Sequence, residues 1–111
     1  MNRVMAMLLL LVPMGALPAR AQDAAKVAQG AQVYVTQKCG LCHSVAGKGN
    51  KKHPLDGVGA KLSADDIRKW IVSPKEMEAK MTTPPKPPMK AFPNLPAADL
   101  DALVAYVQSL K

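Results

Sequence analysis

Two cysteines lie two residues apart and are followed directly by histidine, in the segment Cys39-Gly-Leu-Cys42-His43. Each thiol can add across one vinyl group of a haem to form a thioether, and the short loop lets one turn of chain reach both vinyl groups. The adjacent His43 then lies beneath the ring, where its imidazole can bind the iron. The spacing therefore predicts one covalent haem c, attached through Cys39 and Cys42, with His43 as the proximal iron ligand.

The same residues are compatible with three other kinds of site. A disulfide would suit an exported chain, but it closes so short a loop that it removes little entropy from the unfolded state. A thioredoxin-like redox pair belongs beside a βαβ pattern, and the sequence has none. A zinc site takes four ligands, and outside the motif only His53 remains as a typical one. Haem is therefore the favoured interpretation.

Segments with helical periodicity precede the motif and close the chain. The first helix is predicted from Ala24 to about Gln37, and the last from about Ala97 to Leu110. Apolar residues recur at three- and four-residue steps in both, which places them on one face of each helix. These residues are Val27, Ala31, Tyr34 and Val35 in the first helix, and Leu100, Leu103, Val104, Val107 and Leu110 in the last.

The chain between the motif and the last helix is less regular. Residues 44–62 are rich in glycine and lysine and are predicted as a loop. A short helix follows Ser63, whose hydroxyl caps it, and ends at Pro74. A weaker helical stretch is expected from Lys75 to Met81, and a proline-rich segment then leads to Pro96. Because no strand pattern occurs, the fold class is predicted as all-α.

The first residues have the organisation of a secretory signal. Arg3 precedes the apolar run Val4–Val12, and Ala19-Arg-Ala21 carries small residues at both positions that signal peptidase reads. We expect residues 1–21 to be cleaved after about Ala21, which leaves residues 22–111 as one periplasmic domain. A retained membrane anchor is the alternative, but nine apolar residues are too few for a hydrocarbon core that takes about 20.

The domain resembles the class I, mono-haem c-type cytochromes of bacteria. The resemblance covers residues 22–111 and rests on the haem motif together with Gly30, Tyr34, the stretch 54–59, Trp70, Met89 and the closing segment 103–110. It implies three to four helices around one covalently bound haem, with the N- and C-terminal helices crossing. Gly30 would let the two helices approach because it lacks a side chain, and Tyr34 and Tyr106 would pack at the crossing.

The resemblance also implies a hydrogen bond behind the proximal ligand. In the family, a proline carbonyl soon after the motif accepts a hydrogen bond from the other nitrogen of the ligating histidine, which fixes the ring and raises its basicity. Pro54 is the matching residue for His43. Family members usually have glycine before this proline, whereas this chain has His53.

The distal iron ligand implied by the resemblance is a methionine near the last helix. Met77, Met81 and Met89 are candidates, and Met89 is preferred because the segment that it opens resembles the ligand loop of the family. Prolines on its N-terminal side restrict φ and reduce the entropy that this loop loses on folding. Met81 is the next candidate, and His53 would instead complete a bis-histidine iron.

Histidine and methionine ligation fills all six iron positions, so neither oxygen nor a substrate can bind, and methionine raises the potential. We therefore expect an electron-transfer protein rather than an enzyme. The favoured function is a single-electron carrier in a periplasmic respiratory chain. The alternative is a cytochrome subunit that accepts electrons from a periplasmic dehydrogenase or reductase.

The partners expected for this chain are redox proteins. They are a membrane cytochrome complex, a terminal oxidase or reductase, or a periplasmic dehydrogenase. The net charge is +7, and lysines near the motif and near Met89 would form a positive rim for acidic partners, or simply favour solubility. These lysines are Lys48, Lys51, Lys52, Lys86 and Lys90. We expect neither a nucleic-acid partner nor a membrane span in the chain that remains after cleavage.

Overall fold

A computed structural model describes Gly15 and residues 19–111 of the protein. The helices of this part are α1 (Ala19–Thr36), α2 (Val58–Lys61), α3 (Ala64–Val72), α4 (Pro74–Glu78) and α5 (Ala97–Gln108). A 3-10 turn spans Cys39–Leu41, and the short strands are β1 (His43–Val45), β2 (Lys48–Gly49) and β3 (His53–Pro54). The mainly helical architecture confirms the predicted fold class, with α2 and α4 as one-turn additions to the three longer helices.

Helices α1 and α5 cross at Gly30, as the resemblance implies. A Cβ at this position would overlap the Ala102 carbonyl oxygen and would lie 2.6 Å from the Cβ of Tyr106. Glycine is required here because any side chain would hold the two backbones apart. Tyr34 and Tyr106 pack edge to face beside the contact, with ring centroids 5.5 Å apart.

The buried core joins α1, α3 and α5. Its residues are Val33, Ile67, Ile71, Leu103, Val104 and Val107. The predicted stripe of α1 is wrong at one end, because Val35 is 73% exposed whereas Val33 is 8% exposed. At 3.6 residues per turn, Val35 lies about 140° around α1 from Gly30, and Val33 only about 60°. The face that crosses α5 therefore buries Val33.

The start of α3 follows the predicted capping pattern. The Ser63 hydroxyl accepts a hydrogen bond from the Asp66 amide at 3.2 Å, and two acidic residues stand in the first turn, where the helix dipole favours them. Pro74 is the first residue of α4, a position at which a missing N–H costs no hydrogen bond. Helix α4 ends at Glu78, earlier than the predicted Met81.

The segment predicted as a loop holds a small sheet in the order β2-β1-β3 and the short helix α2. Strand β1 pairs with β3 in parallel, with His43 opposite His53 and Ser44 opposite Pro54. Strands of two or three residues are too short to show alternation of polar and apolar side chains. The expectation that this chain lacks strands is therefore wrong for residues 43–54.

The predicted signal segment lies outside the described residues except for Gly15 and the first turn of α1, in which the expected cleavage position falls. The secretory signal therefore stays a prediction. Among the described residues, no helix combines the length and the apolar character that a membrane crossing requires.

Candidate functional site

The cysteine motif forms one tight turn at the end of α1. Lys38 adopts a left-handed backbone conformation, with φ of 58°, which redirects the chain into the 3-10 turn. The Cys42 amide donates to the Cys39 carbonyl at 3.2 Å, so both cysteines belong to a single turn. Both are free thiols, with Cys39 half-buried and Cys42 exposed. The turn therefore presents two unbonded thiols beside His43.

Asn50 donates hydrogen bonds to carbonyl groups of the cysteine turn and of His43. Its amide N–H lies 3.0 Å from the carbonyl oxygens of both Gly40 and His43, and its side-chain Nδ2 donates to the Leu41 carbonyl at 3.0 Å. Its Oδ1 accepts from the Lys52 amide, also at 3.0 Å. Sequence reasoning missed Asn50, although an asparagine directly after a glycine-rich turn is typical of such side-chain-to-backbone bonding.

The His43 ring is oriented by a backbone carbonyl. Its Nδ1 lies 2.9 Å from the carbonyl oxygen of His53. With the proton assigned to Nδ1, the lone pair is on Nε2. The predicted acceptor, the carbonyl of Pro54, is wrong by one residue. The parallel register places His53 opposite His43, and Pro54 is paired with Ser44 instead.

Burial changes the acidity of the groups behind the turn. It raises the pKa of the Cys39 thiol, and the nearby Cys42 adds to the effect. Burial also raises the pKa of the Tyr34 hydroxyl, with Cys39 and then Tyr106 adding to it. The Tyr34 oxygen is inaccessible to solvent and has no hydrogen-bond partner among the described residues. This region of the site therefore favours neutral side chains.

Met89 lies in the proline-rich segment between α4 and α5. Its backbone amide donates to Oε1 of Glu78 at 2.9 Å, and three residues later the Phe92 amide donates to the Ile71 carbonyl at 2.8 Å. Met89 is half-buried, whereas Met81 is 44% exposed. Burial therefore separates Met89 from Met81 but not from Met77, which is also half-buried and lies in α4. The role of Met89 as a ligand stays a prediction.

Comparison with known proteins identifies the family. The family model described as cytochrome c matches residues 27–111. The chain belongs to the cytochrome c family. Helix α1, the cysteine turn, the methionine segment and α5 all lie within the matched range apart from the first residues of α1.

One curated relative of this cytochrome c is the cytochrome c oxidase subunit 2 of Alkalihalophilus pseudofirmus. The two are 29% identical over an alignment of 92 residues, which covers 75% of this chain and 25% of the relative. The chain therefore spans only part of that relative's length. No solved structure matches this cytochrome c.

Members of the cytochrome c family bind covalent haem c, whose iron gains and loses one electron. The residues of this chain fit that group. Two free thiols have the required spacing, and the imidazole beside them has one nitrogen held by a carbonyl and the other available. Within residues 19–111, no three His, Cys, Asp or Glu side chains come together as a separate metal site. The donor set thus suits haem rather than zinc.

Proposed function

We propose that this cytochrome c attaches its haem through Cys39 and Cys42 and carries single electrons in a periplasmic respiratory chain. His43 and Met89 are the proposed iron ligands. The observation that carries the proposal is the His43 ring, whose Nδ1 lies 2.9 Å from a carbonyl directly beside the turn with the two free thiols. A hydrogen bond at Nδ1 directs the Nε2 lone pair toward a metal and makes it more basic.

The proposed attachment is supported by the stiffness of the cysteine turn. Asn50 contacts the carbonyl groups of Gly40, Leu41 and His43, so the backbone between the cysteines and the histidine is held in one shape. Each thiol adds across one vinyl group, with its sulfur bonded to one carbon and its hydrogen to the other. The chain thus supplies the spacing and the two thiols that thioether formation requires.

The choice of Met89 as distal ligand rests on its restraints. A thioether is a weak ligand, so a segment ordered before binding loses less entropy when the bond forms. Hydrogen bonds at Met89 and Phe92 restrain this segment, and its prolines restrict φ. A filled sixth position excludes oxygen and supports electron transfer rather than catalysis.

Mass spectrometry of the protein from its native host tests attachment and export together. The expected mass is that of the chain from Gln22 plus one haem, and acid–acetone should not extract the pigment. A Cys39→Ser, Cys42→Ser variant is the control and should carry no covalent haem. Recovery of the apoprotein mass with a disulfide between the cysteines would contradict the haem proposal.

Replacement of Met89 tests the distal ligand. Met89→Ala should abolish the weak red absorption band that iron–methionine bonding produces, and the ferrous protein should then bind carbon monoxide. Met77→Ala and Met81→Ala are matched controls and should keep the band. If Met81→Ala alone abolishes it, Met81 is the ligand. If none of the three does, the iron is bound by His53 or a lysine, or its sixth position is open, and the carrier proposal is weakened.

A second candidate function is that of a cytochrome subunit or domain in a larger redox complex. The relative from Alkalihalophilus pseudofirmus is named as an oxidase subunit. Two large apolar side chains near the motif are open to solvent, with Val35 73% and Leu41 70% exposed. Exposed apolar surface is a feature of stable interfaces. Size-exclusion chromatography of native periplasm with haem detection should show an isolated small carrier, and elution with a large partner would favour the second candidate.

A further inference from the structure

Glu78 makes a side-chain contact with the backbone of Met89. Glu78 is the last residue of α4, and its Oε1 accepts the Met89 amide hydrogen at 2.9 Å in a partly buried position. Pro87 and Pro88 precede Met89 and have no N–H to donate. The Met89 amide is therefore the first backbone donor after this proline pair, and the Glu78 carboxylate accepts its hydrogen bond.

The other restraint on this segment lies further along the chain. The Phe92 amide donates to the Ile71 carbonyl of α3 at 2.8 Å, and the Phe92 ring packs against the core. Lys90 and Ala91, between the two anchored residues, are exposed. The Glu78 carboxylate is consequently the side chain that hydrogen-bonds Met89 itself, whereas the contact with the core is made three residues later, at Phe92.

We propose that Glu78 is a positioning residue for the methionine ligand. Its carboxylate holds the Met89 backbone so that the thioether remains directed at the sixth iron position. This proposal rests on the proposed function, in which Met89 is the distal ligand. A hydrogen bond from an amide to a partly buried carboxylate is among the stronger ones in proteins, which suits a segment that must hold a weak ligand in place.

Loss of this hydrogen bond should favour states in which the thioether has left the iron. An added ligand such as imidazole competes with methionine for ferric iron, so its apparent affinity reports the population of those states. We expect Glu78→Ala to bind imidazole about 10-fold more tightly, the effect of losing one charged hydrogen bond. The red absorption band should also disappear at a lower temperature than in the wild type.

Glu78→Gln and Glu76→Ala are the matched variants. Glutamine retains an oxygen acceptor at position 78 and should restore most of the wild-type imidazole affinity. Glu76 is exposed on the same short helix, and its replacement should change neither imidazole binding nor the band. Equal imidazole affinity in wild type and Glu78→Ala would overturn the positioning role, even where Met89→Ala still abolishes the band. Persistence of the band in Met89→Ala would instead refute the ligand assignment.

Amide hydrogen exchange in the wild-type protein tests the same contact without a mutation. The Met89 amide should exchange at least about 10-fold more slowly than the exposed Lys90 amide, because hydrogen-bonded amides exchange only after opening. Equal exchange rates, after correction for intrinsic rates, would show that Glu78 does not hold the segment. If Glu78→Ala does not fold or does not incorporate haem, this exchange measurement still tests whether Glu78 restrains Met89.

Discussion

At the scale of single residues, the site depends on backbone carbonyl groups, one of which contacts His43 and three of which contact Asn50. The His53 carbonyl orients His43, while Asn50 contacts three carbonyl groups of the cysteine turn. The acceptor for His43 is a main-chain group, so the side chain at position 53 is not needed for that hydrogen bond. This explains how histidine can stand where the family usually has glycine.

Asn50→Asp should destabilise the holoprotein by about 1 kcal/mol, the contribution of an ordinary hydrogen bond. The substitution is isosteric, but it replaces the donor that faces the Leu41 carbonyl with a second oxygen. Denaturant unfolding followed by haem absorbance measures the change. Asn94→Asp introduces the same charge at another exposed position, and it should change stability by less than about 0.5 kcal/mol. Equal effects of the two substitutions would show that the Asn50 side chain does not hold the turn.

Tyr34→Phe should stabilise the protein by about 1 kcal/mol at pH 7, because it removes a buried hydroxyl that lacks a partner. Burial, which is the largest cause, raises the pKa of Tyr34 above its ordinary value of 10.0. The unfolded chain therefore ionises first as the pH rises, and the wild type loses stability above about pH 10. Denaturant unfolding should therefore show that the difference in free energy of unfolding between Tyr34→Phe and the wild type increases from about pH 9 to about pH 11. Destabilisation at pH 7 would mean that the hydroxyl has a partner in the holoprotein.

At the scale of secondary-structure elements, the crossing of α1 and α5 is the central contact. The closest approach occurs at Gly30, where a Cβ would overlap the Ala102 carbonyl oxygen. The Arg68 guanidinium also pairs with Asp101 at 2.7 Å and joins α3 to α5. Because that pair is largely exposed, it contributes little compared with the helix crossing.

Gly30→Ala should destabilise the protein by about 3 kcal/mol or more, because the added methyl group forces the two helices apart. Thermal unfolding monitored by circular dichroism measures the loss. Gly40→Ala is the matched control, since a Cβ at position 40 meets nothing within 4 Å. Its stability should stay close to that of the wild type. A tolerated Gly30→Ala would imply that α1 and α5 are further apart in solution.

At the scale of the whole molecule, the described part of the chain has a small core for its length. The buried apolar residues are Val33, Ile67, Ile71, Ala102, Leu103, Val104 and Val107. Small domains with few buried side chains usually need a disulfide, metal or cofactor for stability. In this family the haem provides that contribution, because it is large, apolar and covalently attached.

A Cys39→Ala, Cys42→Ala variant prepared without haem should be largely unfolded at room temperature, since its core alone does not offset the loss of conformational entropy. Far-ultraviolet circular dichroism and a thermal scan measure residual helix and cooperativity. The wild-type holoprotein is the control and should unfold in one cooperative transition. A cooperative transition in the haem-free variant would show that α1, α3 and α5 suffice for folding.

Side-chain chemistry and spacing in the sequence by themselves determined the haem motif, the three longer helices and the glycine at the helix crossing. These features depend on local periodicity or on residue types whose chemistry is restricted, so they can be predicted without knowledge of distant contacts. The family match confirms the class of protein and its cofactor. The cleavage position and the iron ligands stay predictions.

The pairing of backbone groups depends on tertiary contacts that the residue types do not reveal. The register of β1 and β3 selects the His53 carbonyl instead of that of Pro54. The face of α1 that contacts α5 at Gly30 buries Val33 rather than Val35. The contacts of Asn50 and Glu78 likewise join them to main-chain groups. Every residue carries the same amide and carbonyl groups, so their pairing depends on the folded path of the chain rather than on residue type.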